Sequence, residues 1–103
     1  MRRRSSIIVL LLSLAVFAGQ DMARSSPAQL YQQGIEQYQS NHLAAALKFW
    51  QQALQQFQQL GDRQGEGATL VALSAGYLAV GDNHQAIRSA QQLLQVANRL
   101  NNQ

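Results

Sequence analysis

The chain has 103 residues, which leaves room for one small domain at most. Its formal net charge is +3, from eight basic and five acidic residues. Three of the eight basic residues, Arg2, Arg3 and Arg4, belong to a leader without acidic residues, so the rest of the chain is neutral and lacks the basic surface expected of a protein that binds nucleic acid or an anionic membrane.

Residues 1–18 have the pattern of a secretory signal peptide. The basic start is followed by an uncharged apolar run over residues 7–18, shorter than the roughly 20 residues that a membrane-spanning helix needs. We therefore predict a bacterial protein exported to the periplasm or the extracellular space. The alternative is an uncut leader that anchors the chain in the inner membrane, the only membrane contact we expect. The chain has no cysteine, so packing rather than disulfides must hold the exported domain together.

A linker of residues 19–27 precedes the first predicted helix, residues 28–39. Ser26 is placed to cap this helix, and Pro27 suits its first position. Asn41 is expected to be a left-handed residue in the following turn.

The second predicted helix, residues 43–60, is amphipathic and ends at Gly61. Its apolar residues recur at steps of four and three, while glutamines fill most of the opposite side; the apolar residues are Ala46, Trp50, Ala53, Phe57 and Leu60. Such a helix needs a partner for its apolar face. Trp50 is expected to be a core anchor rather than a ligand contact.

The third predicted helix starts after a cap at Asp62 and runs to about Val80, with a loose first turn caused by Gly65 and Gly67. Its predicted core residues are Leu70, Leu73, Ser74, Tyr77 and Leu78. The fourth helix is capped by Asp82, with Gln85 placed to return the capping bond, and runs to about Leu100. One apolar face is predicted to contain Ala86, Ile87, Ala90, Leu93, Leu94, Ala97 and Leu100.

The two halves of the chain match each other at a spacing of forty residues, as between Ala46 and Ala86. This period is typical of stacked helix pairs, in which one pair cannot bury its own apolar face and packs on the next. We therefore predict an all-α fold of two stacked antiparallel helix pairs, residues 28–60 and 62–100, with a short tail at 101–103.

The chain resembles the tetratricopeptide repeat (TPR) family over residues 28–100. In the first pair, the family's small residue in each helix is matched by Gly34 and Ala46, its aromatic residue by Trp50, and its final small-large pair by Ala53-Leu54. In the second pair, its leucine, tyrosine, glycine-aspartate and alanine series is matched by Leu70, Leu73, Tyr77, Gly81-Asp82 and Ala86. The sequence GDRQGEGATL is similar to the longer repeats of the kinesin-light-chain-like branch. The resemblance implies a right-handed α-solenoid fragment and a role in protein–protein interaction.

The predicted binding surface departs from the family pattern. Members that grip a peptide backbone usually use asparagines on the first helix of each pair, whereas the matching positions here are Gln32, Ile35, Ala72 and Ala75. A clamp for a terminal carboxylate is therefore not expected. The sequence instead predicts a shallow apolar groove for an amphipathic helix or an apolar peptide edge, formed by Tyr31, Ile35, Tyr38, Val71, Ala75 and Leu78. The alternative is that Tyr31 and Tyr38 are packed between helices.

We expect neither catalysis nor a cofactor, metal or small-molecule substrate. His42 and His84 lie on separate turns without a carboxylate cluster, and the glycines lack the strand and lysine of a phosphate-binding loop. Glu36 and Glu66 are interpreted as solvated helix residues. No serine lies in a strand-to-helix turn of the kind that presents a nucleophile.

The sequence thus predicts an exported interaction module or scaffold that binds a protein or peptide partner. Two alternatives remain open: a structural helical element that self-associates, and the N-terminal part of a longer TPR protein that carries a peptidase-like domain.

Overall fold

The structure, a computed structural model, describes residues 25–102 as four α-helices and contains no strand in this range. The helices are α1 (Pro27–Gln39), α2 (Leu43–Leu60), α3 (Arg63–Ala79) and α4 (Asn83–Asn101). This confirms the predicted all-α class, and the predicted helix ends agree to within one residue. The predicted leader of residues 1–18, the linker before Ser25 and residue 103 lie outside the described residues.

The helix starts are fixed by side chains that bond to free backbone amides. The Ser26 hydroxyl accepts a bond from the Gln29 N–H at 3.1 Å, and the Gln29 side chain accepts one from the Ser26 N–H at 2.9 Å, which closes a reciprocal capping box. Asp62 caps α3 by accepting from the Gly65 N–H at 3.0 Å. Asp82 caps α4 through the Gln85 N–H at 3.1 Å, but this cap is one-sided, so the predicted return bond from the Gln85 side chain is wrong.

Each of the three connecting turns contains one residue with a left-handed backbone. These residues are Asn41, Gly61 and Gly81, with φ angles of 63°, 69° and 82°. The predicted left-handed conformation of Asn41 is confirmed. Because the turns are short, consecutive helices reverse direction and pack side by side: α1 on α2, α2 on α3 and α3 on α4.

The core runs through the packed helices in two clusters. One consists of Ala46, Trp50, Leu70, Leu73 and Val96, and the other of Leu30, Ala53 and Phe57. Ala46 is fully buried and Ala86 is 5% exposed, so both small residues of the forty-residue match face the interior. Small side chains at these places let neighbouring helices approach closely.

Trp50 is the central residue of this packing and is 3% exposed. Its indole N–H donates to the backbone carbonyl of Tyr31 at 3.1 Å, which satisfies the one polar group of the ring. A Cβ atom added to Gly34 of α1 would overlap the indole, and one added to Gly76 of α3 would lie 3.0 Å from its Cζ3 atom. The expected core role of Trp50 is consistent with this burial between two glycines.

Several buried and exposed residues differ from the sequence-based expectation. Leu78, predicted to belong to the core of α3, is 60% exposed. Glu66, interpreted as solvated, is 8% exposed and accepts a bond from the Gln58 amide at 3.4 Å. It lies in the first turn of α3, where the helix dipole favours a negative charge.

The predicted single apolar face of α4 divides into two faces. Ala86, Ser89 and Val96 are buried, and Leu93 and Leu100 are half-buried beside them. Ile87 and Leu94 are 58% and 65% exposed, and Ala90 and Ala97 are exposed with them. The prediction of one face is therefore wrong, because a helix can carry apolar residues around more of its circumference than one neighbour covers.

The two glycines at the start of α3 provide a matched test of the packing. A Cβ atom on Gly65 would overlap the Phe57 ring, whereas one on Gly67 would lie 3.7 Å from Leu93 and Val96, an ordinary contact distance. We expect Gly65→Ala to destabilise the fold by about 1–3 kcal/mol through overpacking. Gly67→Ala should stabilise it by up to about 1 kcal/mol, the helix propensity difference. Urea unfolding followed by circular dichroism measures both; equal effects would contradict the packing.

Replacement of Trp50 tests the central contact. We expect Trp50→Ala to cost about 3–5 kcal/mol because it leaves a cavity between three helices, a loss that can unfold a small domain. Trp50→Phe retains most of the ring volume and should lose less. Thermal melting checks both variants, and a Trp50→Ala protein that melts cooperatively near the wild-type temperature would refute the core role.

Candidate functional site

The six residues of the predicted groove lie in two groups with different exposure. On α1, Tyr31 and Ile35 are half-buried and pack against the cluster around Trp50. Tyr38 is 38% exposed, and its ring centroid lies 5.7 Å from that of Trp50, with the ring planes tilted by 39°. These three residues therefore contribute to the core as well as to the surface of the first helix pair.

The second group, on α3, is more open. Val71 is 54% and Leu78 60% exposed, and Ala75 between them is also exposed. Their spacing of four and three residues places them on one side of the helix. The name "α3 face" is used below for Val71, Ala75 and Leu78.

The forty-residue match explains the difference between the groups. Val71, Ala75 and Leu78 occupy the positions of Tyr31, Ile35 and Tyr38. The position of Trp50, which packs against the first group, is occupied in the second pair by the exposed Ala90. The α3 face therefore lacks the large aromatic neighbour that the first pair has at this place.

Several side chains on the other sides of α3, unlike those of the α3 face, are hydrogen-bonded or buried within the fold. The Tyr77 hydroxyl accepts a bond from the Gln51 amide of α2 at 2.7 Å, and the Ser74 hydroxyl donates to the Leu70 carbonyl at 2.9 Å. Leu70 and Leu73 are buried. Those residues are thus committed to the fold, and the exposed apolar side chains on α3 are left for other contacts.

Three clefts lie elsewhere on the described surface. One, of about 470 Å³, is between α1 and α2 and is lined by Ser25, Leu30, Gln33, Ala45, Lys48, Phe49 and Gln52. A second, of about 340 Å³, is bordered by α2, α3 and α4, with Gln51, Tyr77, Arg88 and Gln92 among its lining residues. The third, of about 300 Å³, is lined by Ser25 and by the α1 residues Gln29, Gln32, Gln33 and Glu36. Only the third lining contains a carboxylate, and none of the three contains a histidine.

The histidines considered for a metal site belong to separate turns of the fold. His42 precedes α2 and His84 is exposed in the first turn of α4. Within residues 25–102, no group of three or more histidine, cysteine, aspartate or glutamate residues is placed to hold a metal ion. None of the four described helices has the length and apolar character needed to cross a membrane.

The sequence-based analysis missed the exposed part of α4 as a separate surface. It placed Ile87, Ala90, Leu94 and Ala97 on one apolar face with Ala86, Leu93 and Leu100, whereas these four are exposed and Ala86 is buried. The forty-residue spacing contained the signal, because these residues match Leu47, Trp50, Leu54 and Phe57 of α2, which pack toward α3.

Comparison with protein-family models, with curated proteins and with solved structures finds no match to this chain. The candidate site therefore rests on the geometry of the chain itself.

Proposed function

We propose that the chain is an exported protein-interaction module of TPR-like helix pairs that binds a protein or peptide partner through the α3 face. The observation that carries the proposal is the exposure of Val71 and Leu78, both more than half exposed on one side of a helix whose other large aliphatic residues, Leu70 and Leu73, are buried. Apolar surface that stays in water is costly, and a patch of it commonly marks a place where another molecule binds.

The chemistry of the face indicates the kind of partner. Val71, Ala75 and Leu78 carry no charge and no hydrogen-bonding side-chain group. They would therefore contact the apolar side of an amphipathic helix or the apolar edge of a peptide. An amphipathic helix binds such a surface through residues spaced three and four positions apart. A partner recognised through a phosphate or a terminal carboxylate would need cations that the face does not supply.

The α3 face is also the better place to test binding. Tyr31 and Ile35 pack against the core, so substitutions there would lower stability as well as binding. Val71 and Leu78 are exposed, and polar substitutions at exposed positions usually change stability by less than about 0.5 kcal/mol.

Site-specific photo-cross-linking tests the proposal in cells that produce the full chain. We expect a photoreactive residue at position 71 or 78 to form adducts with another protein. The same residue at Leu60, which is 70% exposed at the end of α2, is the control and should form few. Val71→Gln together with Ala75→Gln should reduce the adducts from position 78. Equal labelling from Leu60, or no adduct from the α3 face, would contradict the proposal, and adducts with this chain alone would favour the structural alternative.

Export is a separate part of the proposal and rests on the sequence of residues 1–18. We expect the intact mass of the protein recovered from the periplasm or medium to show the loss of residues 1–18. Leu10→Arg with Leu12→Arg interrupts the apolar run and should leave the chain uncut inside the cell. A full-length protein in the membrane fraction would instead support the uncut anchor.

A further inference from the structure

The exposed apolar residues of α4 form a stripe distinct from its buried face. Ile87, Ala90, Leu94 and Ala97 follow one another at steps of three, four and three, so they lie along one side of the helix. Ile87 is 58% and Leu94 65% exposed. The name "α4 stripe" is used below for these four residues.

The position of the α4 stripe corresponds to an interface that already exists within the fold. Forty residues earlier, the matching residues of α2 are Leu47, Trp50, Leu54 and Phe57. Leu47 and Trp50 lie against Gly76 of α3, and Phe57 lies against Gly65 of the same helix. The α4 stripe is therefore the surface on which, by this correspondence, another helix packs, and no described helix covers it.

A helix like α3 would fit this surface poorly. In the existing interface, the large Trp50 and Phe57 of α2 meet the glycines of α3. In the α4 stripe the corresponding residues are Ala90 and Ala97. A second set of glycines opposite these alanines would leave empty space, which a close-packed interface does not tolerate. A helix that packs closely on the α4 stripe therefore needs large apolar side chains opposite Ala90 and Ala97.

A second copy docked head to tail would fit no better. In that arrangement α1 of the second copy would pack on the α4 stripe as α3 packs on α2. The residues of the second copy that match Gly65 and Gly76 by the forty-residue spacing are Ser25 and Glu36. This side of α1 also carries Gln29 and Gln32. Packing it on the stripe would bury a carboxylate and amides against apolar side chains without partners, which is unfavourable because these groups lose their hydration.

The stripe is complementary to itself when two copies of α4 run antiparallel. With a twofold axis level with Gln92, Ile87 of one copy lies opposite Ala97 of the other, and Leu94 lies opposite Ala90. Each large side chain then meets a small one, as in the interface between α2 and α3. The ends pair Asn83 with Asn101 by the same symmetry.

The charges of α4 are compatible with this pairing. Gln91 and Asn98, which border the stripe, are uncharged, and Arg88 and Arg99 lie on the opposite side of the helix by their spacing. No like charges are brought together across the seam. We propose that two copies of this chain associate through the α4 stripe in an antiparallel, twofold-symmetric interface, which is the isologous arrangement most common among homo-oligomers. The proposal does not rest on binding at the α3 face.

Cysteine cross-linking tests the pairing and its direction. The chain has no cysteine of its own, so introduced thiols are the only ones. Two differently tagged full chains, one with Ile87→Cys and one with Ala97→Cys, are expressed together and oxidised. We expect a disulfide between the two tags. Two copies of the same variant should not link, because ten residues of helix separate the equal positions by about 15 Å, while a disulfide needs Cα atoms within about 7 Å.

Gln92→Cys is the control for random collisions. Gln92 lies level with the proposed twofold axis but on the side of α4 opposite the α4 stripe. A mixed disulfide well above this control supports the proposal. Disulfides between equal positions would show a parallel pairing and overturn it. An equally frequent link in the Gln92→Cys protein, no link at all, or a link to a different protein would overturn it as well.

Sedimentation of the full chain over a wide concentration range gives the energetic test. We expect Leu94→Gln to weaken self-association by about tenfold or more, because it removes a large apolar side chain from the seam. Leu60→Gln changes a similarly exposed leucine outside the stripe and should have no effect. Circular dichroism confirms that each variant is folded. Association that Leu94→Gln leaves unchanged, or a wild-type chain that stays monomeric throughout, would contradict the proposal.

Discussion

The close approach of three helices around Trp50 is the constraint on which the fold depends. The indole lies between Gly34 of α1 and Gly76 of α3, and its N–H donates to the Tyr31 carbonyl at 3.1 Å. A bulky side chain at either glycine would separate the helices and expose the adjoining core. The same principle recurs where the Phe57 ring lies against Gly65. Glycine, normally unfavourable within a helix, is used here to bring α3 into contact with α2.

The second helix pair repeats this framework with smaller side chains. Ala90 and Ala97 stand where the first pair has Trp50 and Phe57, while Ile87 and Leu94 remain large. The first pair is covered by α3, whereas within the described residues the corresponding side of the second pair is open. An exposed side of α1 is polar, at Gln29, Gln32 and Glu36, whereas the α3 face and the α4 stripe are apolar. This asymmetry underlies both proposed interactions.

The proposed module combines two apolar surfaces that differ in the pattern of their side-chain sizes. The α3 face is a short apolar patch suited to a helix or peptide of another protein, and the α4 stripe alternates large and small residues in a way that matches a second copy. Pairing through α4 would place two α3 faces in one assembly, and two linked weak sites bind a repeated partner more tightly than one does. The proposed function rests on contact surfaces.

The sequence by itself determined the helices, because caps, turn residues and apolar spacing act between residues close along the chain. Ser26, Asp62 and Asp82 cap where expected, and Asn41 adopts the left-handed turn conformation. Only the tertiary structure decided which apolar face is covered. In the folded chain, Leu78 and the α4 stripe are exposed and Glu66 is buried. Gly65 packs against Phe57, whereas the sequence indicated only that this glycine weakens the start of the helix. The physical reason is that spacing along a helix shows which residues share a side, whereas burial depends on which neighbouring helix reaches that side.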